Sequence, residues 1–331
     1  MKKLLAVLLT LLMTCLLAVI PVAAETVEPV VLNVAYMPNY ASLWLAVTGI
    51  HQGYFSQQGL ELRLVEFADG PTIIAAMENG SIDIGFIGPG AHKLCINGRA
   101  KVFCLSQIGN ADAVMASRKA GISAIPDLKG KKVGYASGTS SEMILQYALE
   151  DAALTWEDII PYEMDASSLF TAMLSGALDA CACWSPATSA LVEHGGGDIF
   201  ALCTNIDFAD RSVALESWIV LSGYYEKHSE RIEKFTRALY QAMDFGSQEK
   251  NFPQVAQWVA EQCATEVEVA LSQTGDADWP SRQDVLDLIE SGRLAEYYRT
   301  QQLSFIASGA IEHEVPVTDY ILFDNMINAA R

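Results

Sequence analysis

The chain has 331 residues, of which 51% are hydrophobic and 18% are charged, and this composition excludes a disordered or fibrous protein. With 40 acidic and 21 basic residues the formal net charge is −19, so a positive face for nucleic acid or an anionic membrane is not expected. The length fits one large or two medium domains.

Residues 1–24 have the pattern of a secretory signal peptide. Two lysines precede an almost wholly apolar run from residue 4 to residue 20, and small residues end at Ala24. Cleavage after Ala24 would export the rest of the chain to the periplasm or the cell surface. Lipidation at Cys15 is an alternative, but Thr14 is bulkier than the residues usual before a lipidated cysteine. No later apolar run is long enough to span a bilayer.

The remaining cysteines follow no metal-binding or redox spacing. None lies in a CxxC motif or a Cys/His cluster, and most lie in apolar runs, so we expect buried free thiols. Because the chain is predicted to be exported, a disulfide between two of them remains an alternative. These cysteines are Cys95, Cys104, Cys181, Cys183, Cys203 and Cys263.

Short apolar runs bounded by Gly and Pro alternate with helical patterns, which is typical of βα units around mainly parallel sheets. The predicted strands are Leu32–Met37, Leu60–Phe67, Ile82–Ile87, Lys132–Ala136 and Leu178–Trp184. The predicted helices are Pro71–Asn79, Ser140–Ala153 and Ser168–Leu174, followed from Glu230 by a mostly helical region that includes Phe252–Cys263 and Ser281–Tyr298.

An internal similarity indicates two lobes built on one plan. Residues 77–83 and 173–179 share the same spacing of Met, Gly, an apolar residue and Asp, and each segment leads through a strand into a turn that contains proline. Open α/β sheets place ligands at such strand-end turns, so two facing lobes would form a binding cleft.

Several motifs occur in one consistent order between about residues 31 and 246. They are Tyr36-Met-Pro-Asn39, Gly53-Tyr-Phe55, Gly80-Ser-Ile-Asp83-Ile-Gly85, Asp127-Leu-Lys-Gly130, Ser137-Gly-Thr-Ser140 and Trp184-Ser-Pro186. This series resembles the solute-binding proteins of ABC importers, in the nitrate, sulfonate and taurine family (SsuA/TauA, NMT1/THI5-like). The resemblance implies an α/β, two-lobe type II periplasmic-binding-protein fold, in which each lobe is a mainly parallel sheet flanked by helices and the ligand cleft lies between the lobes.

The same resemblance sets expectations for domains and partners. Residues 25–115 would form the first part of lobe 1, residues 116–213 lobe 2, and residues 214–331 the return to lobe 1 with the C-terminal helices. The expected partners are a small-molecule ligand, an ABC permease and its ATPase. The protein would contact the membrane only through the permease or a lipid anchor. We expect a monomer with no cofactor and no nucleic-acid partner.

Three segments, residues 107–114, 184–191 and 214–220, look most like taurine-binding proteins. In the first segment, the resemblance implies that Asp112 binds the amine of the ligand. In the second, it implies that Trp184 lies in the turn that closes over the ligand, and the third resembles a stretch in which an acidic residue, here Glu216, precedes a tryptophan, here Trp218, by two positions.

Asp112 and Glu216 lie in mostly apolar segments, where a buried lone carboxylate is costly unless a cation satisfies it. A ligand ammonium would do so. A salt bridge to Arg118 or Arg211, or plain surface exposure, remains an alternative for each carboxylate.

The segment from residue 137 to residue 141 lies between a predicted strand and a predicted helix. Gly138, Thr139 and Ser140 could hold a sulfonate or carboxylate through N–H groups and hydroxyls. The alternative is an ordinary helix start, because Thr139 and Glu142 have the spacing of a capping box, and we assign Glu142 to capping.

Aromatic side chains could wall the cleft and offer a face to a cation. The candidates are Tyr36, Tyr40, Trp44, Trp184 and Trp218, of which Trp44 fits a core position better and Trp218 fits either role. Asn39, Gly88 and Pro89, in loops after strands, are further predicted contacts.

No HExxH, GxSxG, GxGxxG or Walker motif occurs, and the five histidines are scattered, so an enzyme is not predicted.

The predicted ligand is a taurine-like aminosulfonate or another zwitterion. An aliphatic sulfonate, a pyrimidine or an aromatic amine is the alternative, since the segment from Pro38 to Trp44 looks more like the sulfonate and pyrimidine members.

Overall fold

The computed structural model describes residues 28–331, so the predicted signal peptide and Cys15 lie outside the described residues. The strands are β1 Val30–Tyr36, β2 Leu60–Glu66, β3 Ile84–Ile87, β4 Lys101–Gly109, β5 Ala113–Ser117, β6 Lys132–Tyr135, β7 Ile160–Glu163, β8 Ala180–Cys183, β9 Ile199–Thr204, β10 Leu215–Val220 and β11 Ala277–Asp278. The helices are α1 Tyr40–His51, α2 Tyr54–Gln57, α3 Gly70–Glu78, α4 His92–Ile96, α5 Ser140–Asp151, α6 Ala166–Leu174, α7 Ala187–His194, α8 Ser222–Gly246, α9 Phe252–Cys263, α10 Val267–Ser272, α11 Arg282–Glu290, α12 Arg293–Ala307 and α13 Phe323–Ala329.

Two sheets, each flanked by helices, organise the described residues. The first has the strand order β11-β4-β10-β3-β1-β2 and the second the order β7-β6-β8-β5-β9, and we call these sheets with their helices lobe 1 and lobe 2. The predicted α/β architecture is confirmed, and most strands of each sheet run in one direction. Each sheet is mixed, because β10 runs antiparallel to its neighbours in lobe 1 and β5 does so in lobe 2.

The chain passes between the lobes twice, at places that lie side by side. The first passage is residues 110–112, between β4 and β5, and the second runs from β9 to β10. Asn205 in the second passage accepts a hydrogen bond from the backbone N–H of Asp112 (3.2 Å) and donates through Nδ2 to the carbonyl of Gly109 (2.9 Å). The predicted lobe boundaries at residues 115 and 213 fall close to these passages and remain a prediction.

The internal similarity corresponds to the same construction in both lobes. The Asp83 carboxylate accepts a hydrogen bond from the backbone N–H of Asn33 in β1 (2.8 Å), and the Asp179 carboxylate accepts one from Lys132 in β6 (2.8 Å). In each case the aspartate also donates its own N–H to the carbonyl of the same partner. Each repeat therefore hydrogen-bonds a neighbouring strand, β1 in lobe 1 and β6 in lobe 2, beside the strand that follows the motif.

The predicted strands and most predicted helices are present with ends shifted by at most two residues. The helical region predicted from Glu230 instead begins at Ser222, and the segment predicted from residue 281 to residue 298 divides into α11 and α12 at Gly292, whose φ is +75°. Five of the six cysteines in the described part of the chain are buried and Cys263 is partly exposed, and all six are free thiols.

Within residues 28–331, no helix combines the length and apolar character needed to cross a membrane.

Candidate functional site

A cavity lies between the two lobes and is walled by turns at the carboxyl ends of strands. Lobe 1 contributes the turns after β1, β2 and β3, and lobe 2 contributes those after β6 and β8. Helices begin at these turns, so their backbone polar groups are free to face the cavity. About 60 Å³ of the cavity admits the centre of a water molecule. One water needs about 10–15 Å³, so the space suits a small solute.

Eight of the eleven residues predicted to bind the ligand line this cavity. They are Asn39, Gly88, Pro89, Asp112, Thr139, Ser140, Trp184 and Glu216. The fold thus brings together residues that are up to 177 positions apart, while their contact with a ligand remains a prediction.

The other three predicted residues, Tyr40, Gly138 and Trp218, are not among the residues that line the cavity, and their contact with a ligand also stays a prediction. Trp218 is fully buried and packs edge-on against Phe86 at 5.6 Å between ring centroids, on the core side of β10. Tyr40 is also fully buried, with its ring against Trp279 at 5.0 Å. Gly138 adopts a φ of +77° and lies against Pro71, where an added Cβ would be 2.9 Å from the proline ring.

Asp112 lies in the first passage between the lobes and is 7% exposed. Its Oδ1 accepts a hydrogen bond from the Ser140 hydroxyl at 2.7 Å, at the first residue of α5. Burial raises the pKa of the Asp112 carboxyl to about 6, although the hydrogen bond from Ser140 acts in the opposite direction. The carboxyl is therefore harder to ionise than an exposed aspartate, and a nearby positive charge would favour its ionised form.

Glu216 is positioned from behind by two buried side chains. Gln107 donates through Nε2 to Glu216 Oε2 (2.8 Å), and Trp44 donates through Nε1 to Gln107 Oε1 (2.9 Å), which fixes the orientation of the amide. Gly109 leaves room for the carboxylate, since a Cβ there would lie 2.3 Å from Glu216 Oε1. Trp44 thus fills a core position, as predicted, and supports the site through Gln107.

The pKa of Glu216 is raised to about 8. Burial is the main cause, the negative charge of Asp112 adds to it, the hydrogen bond from Gln107 opposes it, and the charge of Asp276 is a smaller contribution. The alternative of a protein salt bridge is not realised for either predicted carboxylate. Arg118 lies over the ring of Phe200, and Arg211 pairs with Asp151 and Glu150.

Two further carboxylates in the wall, those of Asp69 and Asp276, were not predicted from the sequence. Asp69 is the N-cap of α3, and its position before Gly70-Pro71 is a helix-start signal that could have been found in the sequence. Asp276 follows α10, in a region for which no motif was recognised. Burial raises the pKa of its carboxyl, and the Ser185 hydroxyl of lobe 2 donates a hydrogen bond to it.

The predicted anion cradle is largely used within the protein. The Thr139 hydroxyl donates to the Ala136 carbonyl at 2.8 Å, and the Ser140 hydroxyl donates to Asp112. Glu142 turns back toward the start of α5, as predicted, but accepts from the N–H of Gly138 (3.0 Å) instead of Thr139, and it also pairs with Lys93 at 2.6 Å.

The lobes touch at several points around the cavity. Gly90 of lobe 1 lies against the peptide that joins Thr139 and Ser140 of lobe 2, and an added Cβ would be 2.0 Å from the Thr139 carbonyl carbon. The Tyr147 hydroxyl in α5 accepts a hydrogen bond from Ser304 in α12 at 2.7 Å. These contacts, with the Lys93–Glu142 pair, describe a closed arrangement of the lobes.

Comparison with known proteins agrees with this construction. The family model described as "NMT1/THI5 like" matches residues 38–249. A protein of Brucella abortus (strain 2308), named only as a binding protein, is 30% identical over 213 residues, which are 64% of this chain and 66% of that relative, just under two thirds of its length. The taurine-binding periplasmic protein of Escherichia coli (strain K12) is 23% identical over 232 residues, 69% of this chain and 70% of that protein.

Solved structures share the fold. The alkanesulfonate-binding protein SsuA from Xanthomonas axonopodis pv. citri, bound to MOPS, has a TM-score of 0.67 at 21% identity, over 89% of this chain and 99% of that chain. The nitrate-binding protein NrtA from Synechocystis PCC 6803 has a TM-score of 0.75 at 11% identity, over 92% and 89% of the two chains. The desulfurization enzyme DSZB also shares the fold, with a TM-score of 0.63 at 14% identity over 91% and 99%, so the fold alone does not decide between binding and catalysis.

Proposed function

The chain belongs to the NMT1/THI5-like family, and we propose that it is the extracytoplasmic solute-binding component of an ABC importer. In this proposal the cavity captures a small organic solute, the lobes close over it, and the closed form delivers it to a membrane permease with its ATPase. The relatives named as taurine-binding and aliphatic sulfonates-binding proteins support this role.

The observation that carries the proposal is that both lobes contribute to the wall of one small cavity. A solute that touches both lobes binds the closed form better than the open form, and this difference in affinity drives closure. The absence of a recognised catalytic motif in the sequence favours binding without chemistry.

The cavity supports the amine group that the zwitterionic ligands predicted from the sequence carry. Asp112 and Glu216 both face it, and neither is neutralised by a protein base, so an ammonium group would satisfy them. The ligand predicted from the sequence, a taurine-like aminosulfonate or another zwitterion, would place its amine here.

A thermal-shift screen of the purified protein tests the function. Taurine, alkylsulfonates, nitrate, hydroxymethylpyrimidines, aromatic amines and amino acids form the panel, because a ligand of the folded state raises the melting temperature by mass action. Each hit is followed by small-angle X-ray scattering, in which we expect the radius of gyration to fall on binding. The bound solute should be recovered chemically unchanged, and turnover of a hit would instead support an enzyme.

Gly90→Ala gives the closure step its own test. The added methyl group would overlap the Thr139 carbonyl carbon, so it penalises the closed form alone. An overpacking cost of about 1–3 kcal/mol lowers the affinity by about 5- to 150-fold without lowering the melting temperature of the ligand-free protein. Gly223→Ala is the matched control, because nothing lies within 4 Å of a Cβ at that position. Equal affinity of the two variants would refute the closure mechanism.

A further inference from the structure

The wall of the cavity is acidic on several sides. It carries four carboxyl groups, those of Asp69, Asp112, Glu216 and Asp276, and within residues 28–331 no Lys, Arg or His side chain lines it. These residues come from the turn after β2, from the first passage between the lobes, from the start of β10 and from the segment after α10, so they do not follow one helix.

Each of the four carboxyl groups has one oxygen engaged by the protein and one without a hydrogen-bond partner among the described residues. The engaged oxygens accept from the N–H of Thr72, the hydroxyl of Ser140, the amide of Gln107 and the hydroxyl of Ser185. Asp112 is more than nine-tenths buried, and its free Oδ2 belongs to a residue of the cavity wall. When such a buried carboxyl group is ionised, its unused oxygen and the lack of a positive partner favour a donor from outside the protein.

In the equivalent aspartate of lobe 2, both carboxylate oxygens accept hydrogen bonds within the protein. Asp165 caps α6 as Asp69 caps α3, at the same distance before the repeated Met, but both of its oxygens accept hydrogen bonds from Ser167 or Ser168. The pKa of its carboxyl is well below the usual range because of these hydrogen bonds. Asp165 lies outside the cavity, and only the copy that lines the cavity keeps an oxygen free.

An anionic group of a ligand finds no free hydroxyl at the predicted cradle. The hydroxyls of Thr139 and Ser140 already donate to protein acceptors, and Asp112 stands at the start of α5, where an anion would bind. Lys93, on the far side of Gly90, is paired with Glu142. A sulfonate would therefore meet four carboxyl groups with no compensating base in the wall.

We propose that the solute of this cavity is a small organic cation that carries no anionic group, such as a short amine, a short diamine or a guanidinium compound. The proposal rests on the proposed function and specifies the chemical class of its ligand. Several N–H groups on one small cation would supply the free carboxyl oxygens with charge-assisted hydrogen bonds, and Trp184 in the same wall offers an apolar surface and a ring face to the cation.

Calorimetric titration with matched two-carbon compounds tests this class. Ethanolamine and ethane-1,2-diamine carry only positive charge, taurine carries both charges, and 2-hydroxyethanesulfonate carries only negative charge, while guanidinium chloride serves as a planar cation. We expect at least one cation to bind about tenfold or more tightly than taurine, and 2-hydroxyethanesulfonate to give no binding heat. Cation binding near pH 7 should also release protons, seen as a dependence of the enthalpy on the buffer, because a nearby positive charge favours ionised carboxylates.

A matched pair of variants locates the effect. Asp69→Asn keeps a capping side chain but removes one charge from the wall, and we expect it to weaken cation binding by roughly tenfold. Asp165→Asn makes the same change at the equivalent cap outside the cavity, and it should leave the affinity unchanged within about twofold. Equal effects of the two substitutions would overturn the proposal.

The remaining outcomes separate this inference from the proposed function. If taurine, a sulfonate or a pyrimidine binds more tightly than every cation and closes the lobes, the importer role stands and the cationic class is wrong. The class is also wrong if Ca²⁺ or Mn²⁺ alone binds and the organic cations do not. If no solute of either panel closes the lobes in scattering, both proposals fail.

Discussion

The raised pKa of Glu216 predicts that the ligand-free protein loses stability as the pH rises from 6 to 8. The folded carboxyl has a pKa of about 8, whereas an unperturbed glutamate ionises near 4.5. Between these values the folded state holds a proton that the unfolded state has released, so the free energy of unfolding falls with increasing pH. The stability from this group is fully present below about pH 4.5 and is lost as the pH passes through 8.

The two pKa values give the size of the effect. Integration from pH 6 to pH 8 gives a loss of about 2 kcal/mol from Glu216. Asp112, whose folded pKa is about 6, has already lost most of its own contribution by pH 7 and adds less in this interval. Buried His92, whose folded pKa is lowered to about 4, acts in the opposite direction as the unfolded histidine loses its proton near pH 6.5, and it offsets about 1 kcal/mol or less. Glu216 therefore dominates the net loss.

Urea denaturation of the ligand-free protein at half-unit steps of pH measures this dependence. Glu216→Gln cannot ionise, so we expect it to remove most of the decline between pH 6 and pH 8 and to be more stable than the wild type at pH 8.5. Glu193→Gln, at an exposed position of α7, is the control and should keep the wild-type dependence. A flat wild-type profile, or a Glu216→Gln variant that is less stable at pH 8.5, would refute the reasoning.

The remaining predictions concern the repeat and the core. Asp83→Ala and Asp179→Ala each remove a carboxylate that accepts a strand N–H, so chemical denaturation should show losses of about 1–3 kcal/mol of similar size; a large effect of only one would contradict the structural equivalence of the repeats. Trp218→Phe leaves a void beside Phe86 and should cost about 1–3 kcal/mol in denaturation. It should also leave the affinity for any solute found in the screen within about twofold of the wild type, because the ring lies outside the cavity, and a tenfold loss would return Trp218 to the binding site.

Much of this fold follows from local sequence signals. The alternation of apolar runs with helical patterns, and the glycines that end α3 and α6, predict the βα units because these signals act over a few residues. The repeated Met-to-Asp spacing also predicts two similar lobes. Since ligands gather at the carboxyl ends of strands, the turns at Asn39, Gly88 and Trp184 could be placed at a common site from sequence alone.

The tertiary structure decided which side chains of these segments face the cavity. β10 runs antiparallel to β3, so its first residues lie at the carboxyl end of β3, beside the turns that wall the cavity. Glu216, at the second position of β10, lines the cavity, whereas Trp218 lies two residues further into the sheet and packs against Phe86 in the core.

The number of charged side chains at the cavity also depends on contacts between segments that are distant in the sequence. Asp276 reaches the wall from a segment 60 residues beyond Glu216, and no local pattern marks it as a partner of the strand-end turns. Whether Asp112 and Glu216 meet a protein base likewise depended on where Arg118 and Arg211 fold, and both lie elsewhere. The presence of two similar lobes and a cleft at the strand-end turns can be predicted from the sequence, because these features depend on local periodicity and turns. The acidic character of the cleft arises only when distant segments pack together.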